Sequence, residues 1–264
     1  IYESIYFIKR NNVNLNTTID WFENQNLDRA FNRSIIKNYP NIKTIGYLGF
    51  VPEDYYAGLF PTEYELTSDL MPKKILTIGK SFEAKIKKYC KSLNVSHGPA
   101  FRFQNIEKYI LVDKKSKKIL LCLPMNIEDS KEIINLAYHT NLDNSYKFII
   151  KTHPEMSIEN IKNKIKISQD KKFIFSNEPL YDLFQDSSVI ITSASSTCLE
   201  AILTGLKVII VGSKKSVTKN NLLNIVEDRD WAICYNENDV IKFINNQNNT
   251  SKYNISDFFS PVNE

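Results

Sequence analysis

No apolar stretch in this chain comes near the roughly 20 residues that a membrane-spanning helix requires. A helical path across a bilayer is therefore excluded. Missing too are the clustered His and Cys ligands of a zinc site, the full Gly-x-x-x-x-Gly-Lys-Ser/Thr loop that cradles phosphates, and the Gly-x-Ser-x-Gly elbow of serine hydrolases. The Asp-x-Asp of a metal-holding strand-end loop is approached only by Asp228-Arg229-Asp230, which follows no clear strand and reads as a turn. The four cysteines, Cys90, Cys122, Cys198 and Cys234, are widely spaced, and at least three lie in apolar segments. Reduced thiols fit that pattern better than a disulfide framework. A net charge of +4 without basic residues interleaved with aromatics argues against a nucleic-acid module. The lysine-rich stretches at 85–91, 114–118 and 162–172 read first as solvated faces, with an anionic membrane surface or substrate as their other use. Ile1 opens the sequence without a methionine or signal-like region, so a piece of a longer protein is expected.

What is present is the composition of a soluble globular protein, 42% hydrophobic and 24% charged over 264 residues, enough for two small domains. From residue 118 onward, short apolar runs at 119–123, 148–150, 173–175, 189–191, 208–211 and 232–234 alternate with amphipathic stretches near 130–139, 158–167, 180–184, 197–203 and 240–245. Each run is too short for a helix and apolar at consecutive positions, as suits strands buried on both faces of a parallel sheet. Strand, helix, strand, repeated, predicts a doubly wound α/β domain. The first half is less regular, with strands expected at 5–8, 43–47, 75–78 and 93–96 and helices at 18–37 and 82–93. That is too few strands for a full Rossmann-like domain, which has six or so. The expected organisation is an incomplete Rossmann-like N-terminal domain over 1–104, a polar linker over 105–117 and a Rossmann-like C-terminal domain over 118–264.

Ligands of open α/β sheets sit outside the carboxyl ends of the strands, so the loops after each apolar run carry the candidates. One loop offers Pro124-Met125-Asn126, a second Lys151-Thr152-His153-Pro154, and a third Thr192-Ser193-Ala194-Ser195-Ser196-Thr197. The serine-rich loop feeds a helix whose first turn presents unpaired N–H groups and the positive end of the dipole, a ready seat for a phosphate. Thr197 and Glu200 also have the spacing of a capping box, and the two roles can coexist. His153, held between a strand and a proline, can donate to a phosphate oxygen or, as imidazolium, neutralise a departing phosphate.

The run Lys151-Thr152-His153-Pro154, then Glu178-Pro179-Leu180 and Asp186-Ser187, then residues 189–201 with Ser195-Ser196-Thr197, then Gly205-Leu206-Lys207-Val208-Ile209, resembles the nucleotide-binding domain of GT-B glycosyltransferases. Among these it is most similar to the bacterial surface-polysaccharide enzymes that use CMP-sugars, the sialyltransferases and the transferases of Kdo and related nonulosonic acids. In the first half, Gly46 to Phe50, Pro61-Thr62, 75–79 and Gly98-Pro99-Ala100-Phe101-Arg102-Phe103 resemble the same group. The resemblance implies an α/β, GT-B-like fold with two Rossmann-like domains and a metal-independent glycosyltransferase that needs no cofactor. It would move an acidic sugar from a CMP-sugar to a surface glycan or glycolipid, in the cytoplasm and at the periphery of the inner membrane, with no nucleic-acid partner. Nucleotide contacts are implied at Pro124, Asn126, Lys151, His153, Pro154, Glu178, Pro179, Leu180, Ser195, Ser196, Thr197 and Glu200. An acidic residue of the N-terminal domain would serve as base or nucleophile. The acidic pair followed by glycine that sialyltransferases use is absent; Glu23, in Trp21-Phe22-Glu23-Asn24-Gln25, is the candidate, ahead of Asp20 and Asp28. Arg102 could anchor a carboxylate or phosphate, or form a salt bridge. Two alternatives stand beside this one: glycerophosphate or ribitol-phosphate transfer from a CDP-linked donor, whose His-Gly-Thr-Pro signature is met only in part by His97-Gly98-Pro99, and a non-catalytic nucleotide-binding subunit.

Overall fold

The computed structural model describes residues 1–110, 116–165, 172–246 and 250–262. The chain divides into two compact units, the first formed by Ile1–Gln104 with Asn254–Glu264 and the second by Asn105–Tyr253.

In the first unit the elements run α1 (Tyr2–Arg10), β1 (Thr17–Trp21), α2 (Asn26–Asn38), β2 (Lys43–Leu48), α3 (Glu63–Thr67), β3 (Lys74–Thr77), α4 (Glu83–Ile86) and β4 (Asn94–His97). The four strands form one parallel sheet in the order β1-β2-β3-β4. Three expectations fail here. The apolar run at 5–8 is part of helix α1, because only its Ile5 and Ile8 face matters: three residues apart, they pack against Ile35, Tyr39 and Ile42. The helix expected from residue 18 begins only at Asn26. Thr17–Trp21, rich in β-branched and aromatic residues, pairs instead with β2, placing Ile19 beside Ile45 and Trp21 beside Tyr47. Asp28 fixes the later start, its Oδ2 accepting from the backbone N–H groups of Glu23 and Gln25, each at 3.0 Å. The helix expected over 82–93 is cut to the single turn of α4.

The second unit runs β5 (Lys118–Cys122), α5 (Ile127–His139), β6 (Lys147–Lys151), α6 (Ile158–Lys164), β7 (Phe173–Phe175), α7 (Leu180–Asp186), β8 (Val189–Thr192), α8 (Ser196–Leu203), β9 (Lys207–Val211), β10 (Trp231–Cys234) and α9 (Glu237–Asn245). Among the described residues its six strands are all parallel, in the order β10-β9-β8-β5-β6-β7. Ile119, Leu120 and Leu121 in β5 and Ile190 and Ile191 in β8 are fully enclosed, which is why consecutive apolar residues mark these strands. The chain winds outward from β5 through β6 to β7, then crosses to β8 and winds the other way. The strand order therefore reverses between β5 and β8, where doubly wound sheets open a crevice for ligands. Of the expected linker, Ile106–Tyr109 forms a 3₁₀ turn whose Tyr109 stacks on Tyr181 of α7 at 5.0 Å. Residues 111–115 of that linker, with Lys114 and Lys115, lie outside the described residues, as do 166–171, where the helix expected to reach 167 would end.

The last helix, α10 (Ile255–Phe258), belongs to the first unit, not to the domain expected to run through 264. Its apolar side chains explain the return: Phe259 stacks on Phe103 at 4.0 Å, and Ser260 donates to the Ile78 carbonyl and accepts from the Ala100 N–H. Gly79 makes this approach feasible, because a Cβ there would lie 2.1 Å from the Phe258 carbonyl oxygen. Gly79→Ala is accordingly expected to destabilise the protein by about 1–3 kcal/mol, the usual cost of overpacking. An unchanged urea-unfolding midpoint would contradict that close backbone contact.

All four cysteines are free and buried. Among the described residues, no helix is long and apolar enough to cross a membrane.

Candidate functional site

Because every strand of the second unit's sheet is parallel, the carboxyl ends share one rim. Cys122, the last residue of β5, is in register with Lys151 on one side and with Thr192 on the other. Thr192 is further tied to β5 by its hydroxyl, which donates to the Cys122 carbonyl at 2.8 Å. The loops carrying Pro124, His153 and Ser195 thus leave the rim side by side. Strands lie about 4.8 Å apart, so the His153 and Ser195 loops, which flank the β5 loop, start roughly 10 Å from each other, within reach of one nucleotide-sized ligand.

Helix α8 has Ser195 as its N-cap, in extended conformation and without a side-chain cap bond. The N–H groups of Ser196 and Thr197, both residues half-buried, make no hydrogen bond among the described residues. They are free to meet an acceptor from outside. The capping box expected between Thr197 and Glu200 does not form, since the helix starts too early for Thr197 to be its cap. The buried Glu200 carboxylate accepts instead from the Tyr181 hydroxyl at 2.6 Å.

His153 is half-buried, and its loop closes as a turn through the bond from Met156 N–H to the His153 carbonyl. Nδ1 accepts from the Glu155 N–H at 3.2 Å, which leaves the ring proton on Nε2. The imidazole is therefore a hydrogen-bond donor without having to carry charge. The ammonium of its neighbour Lys151 donates to the Glu178 carbonyl at 2.7 Å and the Asn177 carbonyl at 3.3 Å, so it holds the loop after β7. That loop presents exposed Glu178 and Pro179, then half-buried Leu180. Asn126 caps α5, its Oδ1 accepting from the Glu128 N–H at 2.9 Å, and the Pro124 carbonyl accepts from Ser130. A groove of about 320 Å³ on this unit, between one stripe of α5 and Tyr235, contains none of the expected residues.

In the first unit Glu23 follows β1 and is half-buried. Its Oε1 accepts from the Trp21 indole N–H at 3.0 Å and its Oε2 from the Gln25 amide, so both oxygens are oriented by side chains. Asp20, ranked below Glu23 on sequence, occupies the more unusual setting. It is lodged between β1 and α2, and burial, aided by nearby Asp28, pushes its carboxyl up to about 6 despite a 2.9 Å bond from Asn32. Arg102 lies exposed on a 3₁₀ turn with its guanidinium over the Phe103 ring, and it forms no ion pair among the described residues. The His97 of the partial His-Gly-Thr-Pro signature is occupied by Glu83, 2.6 Å from Nδ1. Among the described residues no group of three His, Cys, Asp or Glu side chains could hold a metal ion.

No protein-family model matches the sequence, and no curated protein matches it. Solved structures do. The UDP-GlcNAc 2-epimerase of Methanocaldococcus jannaschii in complex with UDP-GlcNAc and UDP superposes with a TM-score of 0.60 at 12% identity, over 97% of this chain and 76% of that one. The S. aureus MnaA-UDP structure gives 0.59 at 12% identity, over 100% and 74%. Anabaena HepE in complex with UDP gives 0.56 at 8% identity, over 92% and 70%. Similarity at such low identity establishes the fold: an α/β, GT-B-like chain of two Rossmann-like units.

Proposed function

We propose that this chain is a nucleotide-sugar enzyme that seats a pyrimidine nucleotide's phosphate on the rim of the second unit and transfers the attached sugar. The observation that carries the reading is the placement of the His153 loop and the first turn of α8 on either side of β5, at the point where strand order reverses. A departing nucleotide accumulates negative charge on its phosphate. The Nε2–H of His153 and the free N–H groups of Ser196 and Thr197 are fixed dipoles suited to that charge, and they need no reorganisation as it develops. Such a site requires no divalent cation and no cofactor, so transfer should survive EDTA. Glu23 is the residue we assign to take the proton of the acceptor hydroxyl, its carboxylate held in place by Trp21 and Gln25.

The finer reading, an acidic sugar on CMP passed to a surface glycan or glycolipid in the cytoplasm, is supported by the His-Pro and Ser-Ser-Thr motifs. A second reading, a UDP-sugar, is favoured by the UDP named in the solved structures of like fold. Thermal unfolding with CMP, UDP and NAD separates them. A ligand at a hundred times its Kd stabilises by about 2.7 kcal/mol. We expect CMP to do so and NAD not to. Stabilisation by UDP alone would move the donor to a uridine nucleotide, and no response to either pyrimidine would overturn both readings.

A further inference from the structure

Asn221 lies in the segment between β9 and β10 and is only 2% exposed. Its Nδ2 donates to the carbonyl of Ser195, the N-cap of α8, 26 residues earlier in the chain. The same carbonyl receives the Cys198 N–H at 3.0 Å. A trans peptide is planar, with its N–H directed opposite to its C=O. Whatever holds the Ser195 carbonyl therefore also sets the direction of the Ser196 N–H, because the two groups belong to one peptide unit. That N–H, in the first turn of α8, has no intrahelical acceptor and makes no hydrogen bond among the described residues. A donor on the carbonyl also polarises the peptide and makes its N–H a better donor in turn.

The segment that delivers Asn221 is fastened by its own polar side chains. Thr218 Oγ1 accepts from the Ser213 N–H, Ser213 Oγ from the N–H groups of Lys215 and Ser216, and Asn220 Oδ1 from the Leu222 N–H. Asn221 Oδ1, in contrast, is buried with no hydrogen-bond partner among the described residues. Buried polar atoms without partners are few in folded proteins, so an amide kept here despite that cost marks a requirement for its donating end.

We propose that Asn221 is a positioning residue that aims and polarises the Ser196 N–H at the phosphate of the bound nucleotide, without touching the ligand itself. This role presupposes the nucleotide site proposed above. A simple anchor for α8 would alter stability and the free Ser196 amide but leave the affinity for nucleotide unchanged; a positioning residue also alters that affinity and the displacement of the Ser196 amide on binding.

The test uses the whole chain, uniformly labelled with ¹⁵N, as wild type, Asn221→Ala and Asn221→Asp, the last keeping the shape and losing the donor. Each is titrated with CMP and with UDP. In wild type the Ser196 amide resonance should move downfield on binding. In both variants that displacement should be lost and Kd should rise about tenfold, the scale of one charge-assisted hydrogen bond. A Kd within about twofold of wild type, or an unchanged Ser196 displacement, would overturn the assignment. If wild type binds neither nucleotide, the nucleotide reading fails by itself. The free proteins then decide: a Ser196 amide resonance identical in all three would show that Asn221 does not orient the peptide, and a changed one that it does. If neither variant folds, the wild-type titration decides, since a Ser196 amide that stays still while nucleotide binds contradicts the role.

Discussion

In His153→Ala the nucleotide-induced rise in melting temperature should fall to about half of the wild-type rise or less, while the melting temperature without ligand stays close to that of wild type. The two halves of this expectation have separate causes. Without ligand, the imidazole is half-buried in a loop and accepts one bond, from the Glu155 N–H, so its loss belongs with surface substitutions that change stability by no more than about 0.5 kcal/mol. With ligand, the variant lacks one donor to a charged oxygen, a bond of about 1.5–3 kcal/mol, or roughly ten- to a hundredfold in Kd. Turnover should suffer more than binding, because charge on the phosphate grows as the sugar departs; a loss of roughly two to three orders of magnitude in kcat is expected for one such donor. His153→Gln, which can still present an N–H, should be intermediate. Scanning fluorimetry with and without nucleotide, together with donor hydrolysis rates, reads both effects. An alanine variant as responsive to nucleotide as wild type would remove His153 from the site.

The second large effect concerns Asp20→Asn, which should raise stability above pH 7 by roughly 2 kcal/mol once partial solvent access is allowed for. The carboxyl of Asp20 rises from its ordinary 3.8 to about 6 in the folded protein, chiefly through burial. A raised carboxylate pKa means that the folded state holds the proton more tightly than the unfolded state does. Folding is thus favoured by this group below about pH 4, the advantage is lost as pH climbs toward 6, and above 6 the buried charge is a standing penalty. Asparagine removes the charge, and with it the penalty. Glu63, Glu128 and Asp143 pull the other way, their carboxyls lowered by hydrogen bonds from Ser92, Lys131 and Ser145 respectively. The informative quantity is therefore the difference between wild type and variant in urea unfolding, expected to be large at pH 7.5 and to shrink toward pH 4.5. A constant difference across that range would contradict the buried setting of Asp20.

The second unit was legible because burial on both faces writes itself into sequence as consecutive apolar residues. Ile119, Leu120 and Leu121 announce β5, and Ile190-Ile191 announce β8. His153 stood out for a related reason, a titratable ring placed between a strand and a proline. The first unit hid its signals. Ile5-Tyr6-Phe7-Ile8 looks like a strand, yet Tyr6 and Phe7 are largely exposed and only the helical face of Ile5 and Ile8 packs. Strand β1 leaves no strand signal in the sequence because its outward residues, among them Ile19, are exposed and Asp20 interrupts the apolar pattern.

Within the site, what sequence could not supply was partnership at a distance. Asp20 differs from Glu23 through its burial against the facing helix, which raises its carboxyl although Asn32 of that helix donates to it. Lys151 is an expected nucleotide contact, and its ammonium also donates to the carbonyls of Asn177 and Glu178. Thr197 and Glu200 have capping-box spacing, but Glu200 answers to Tyr181. Asn221 has no local signature, since one asparagine among many gives no hint that it holds a carbonyl 26 positions away.

A crystal structure with bound CMP or UDP would test the central claim most directly. We expect one phosphate oxygen within about 3.2 Å of His153 Nε2 and another within the same distance of the Ser196 N–H, both on the rim flanking β5. A nucleotide whose phosphate lies away from that rim, or that meets one of these groups and leaves the other facing solvent, would contradict it.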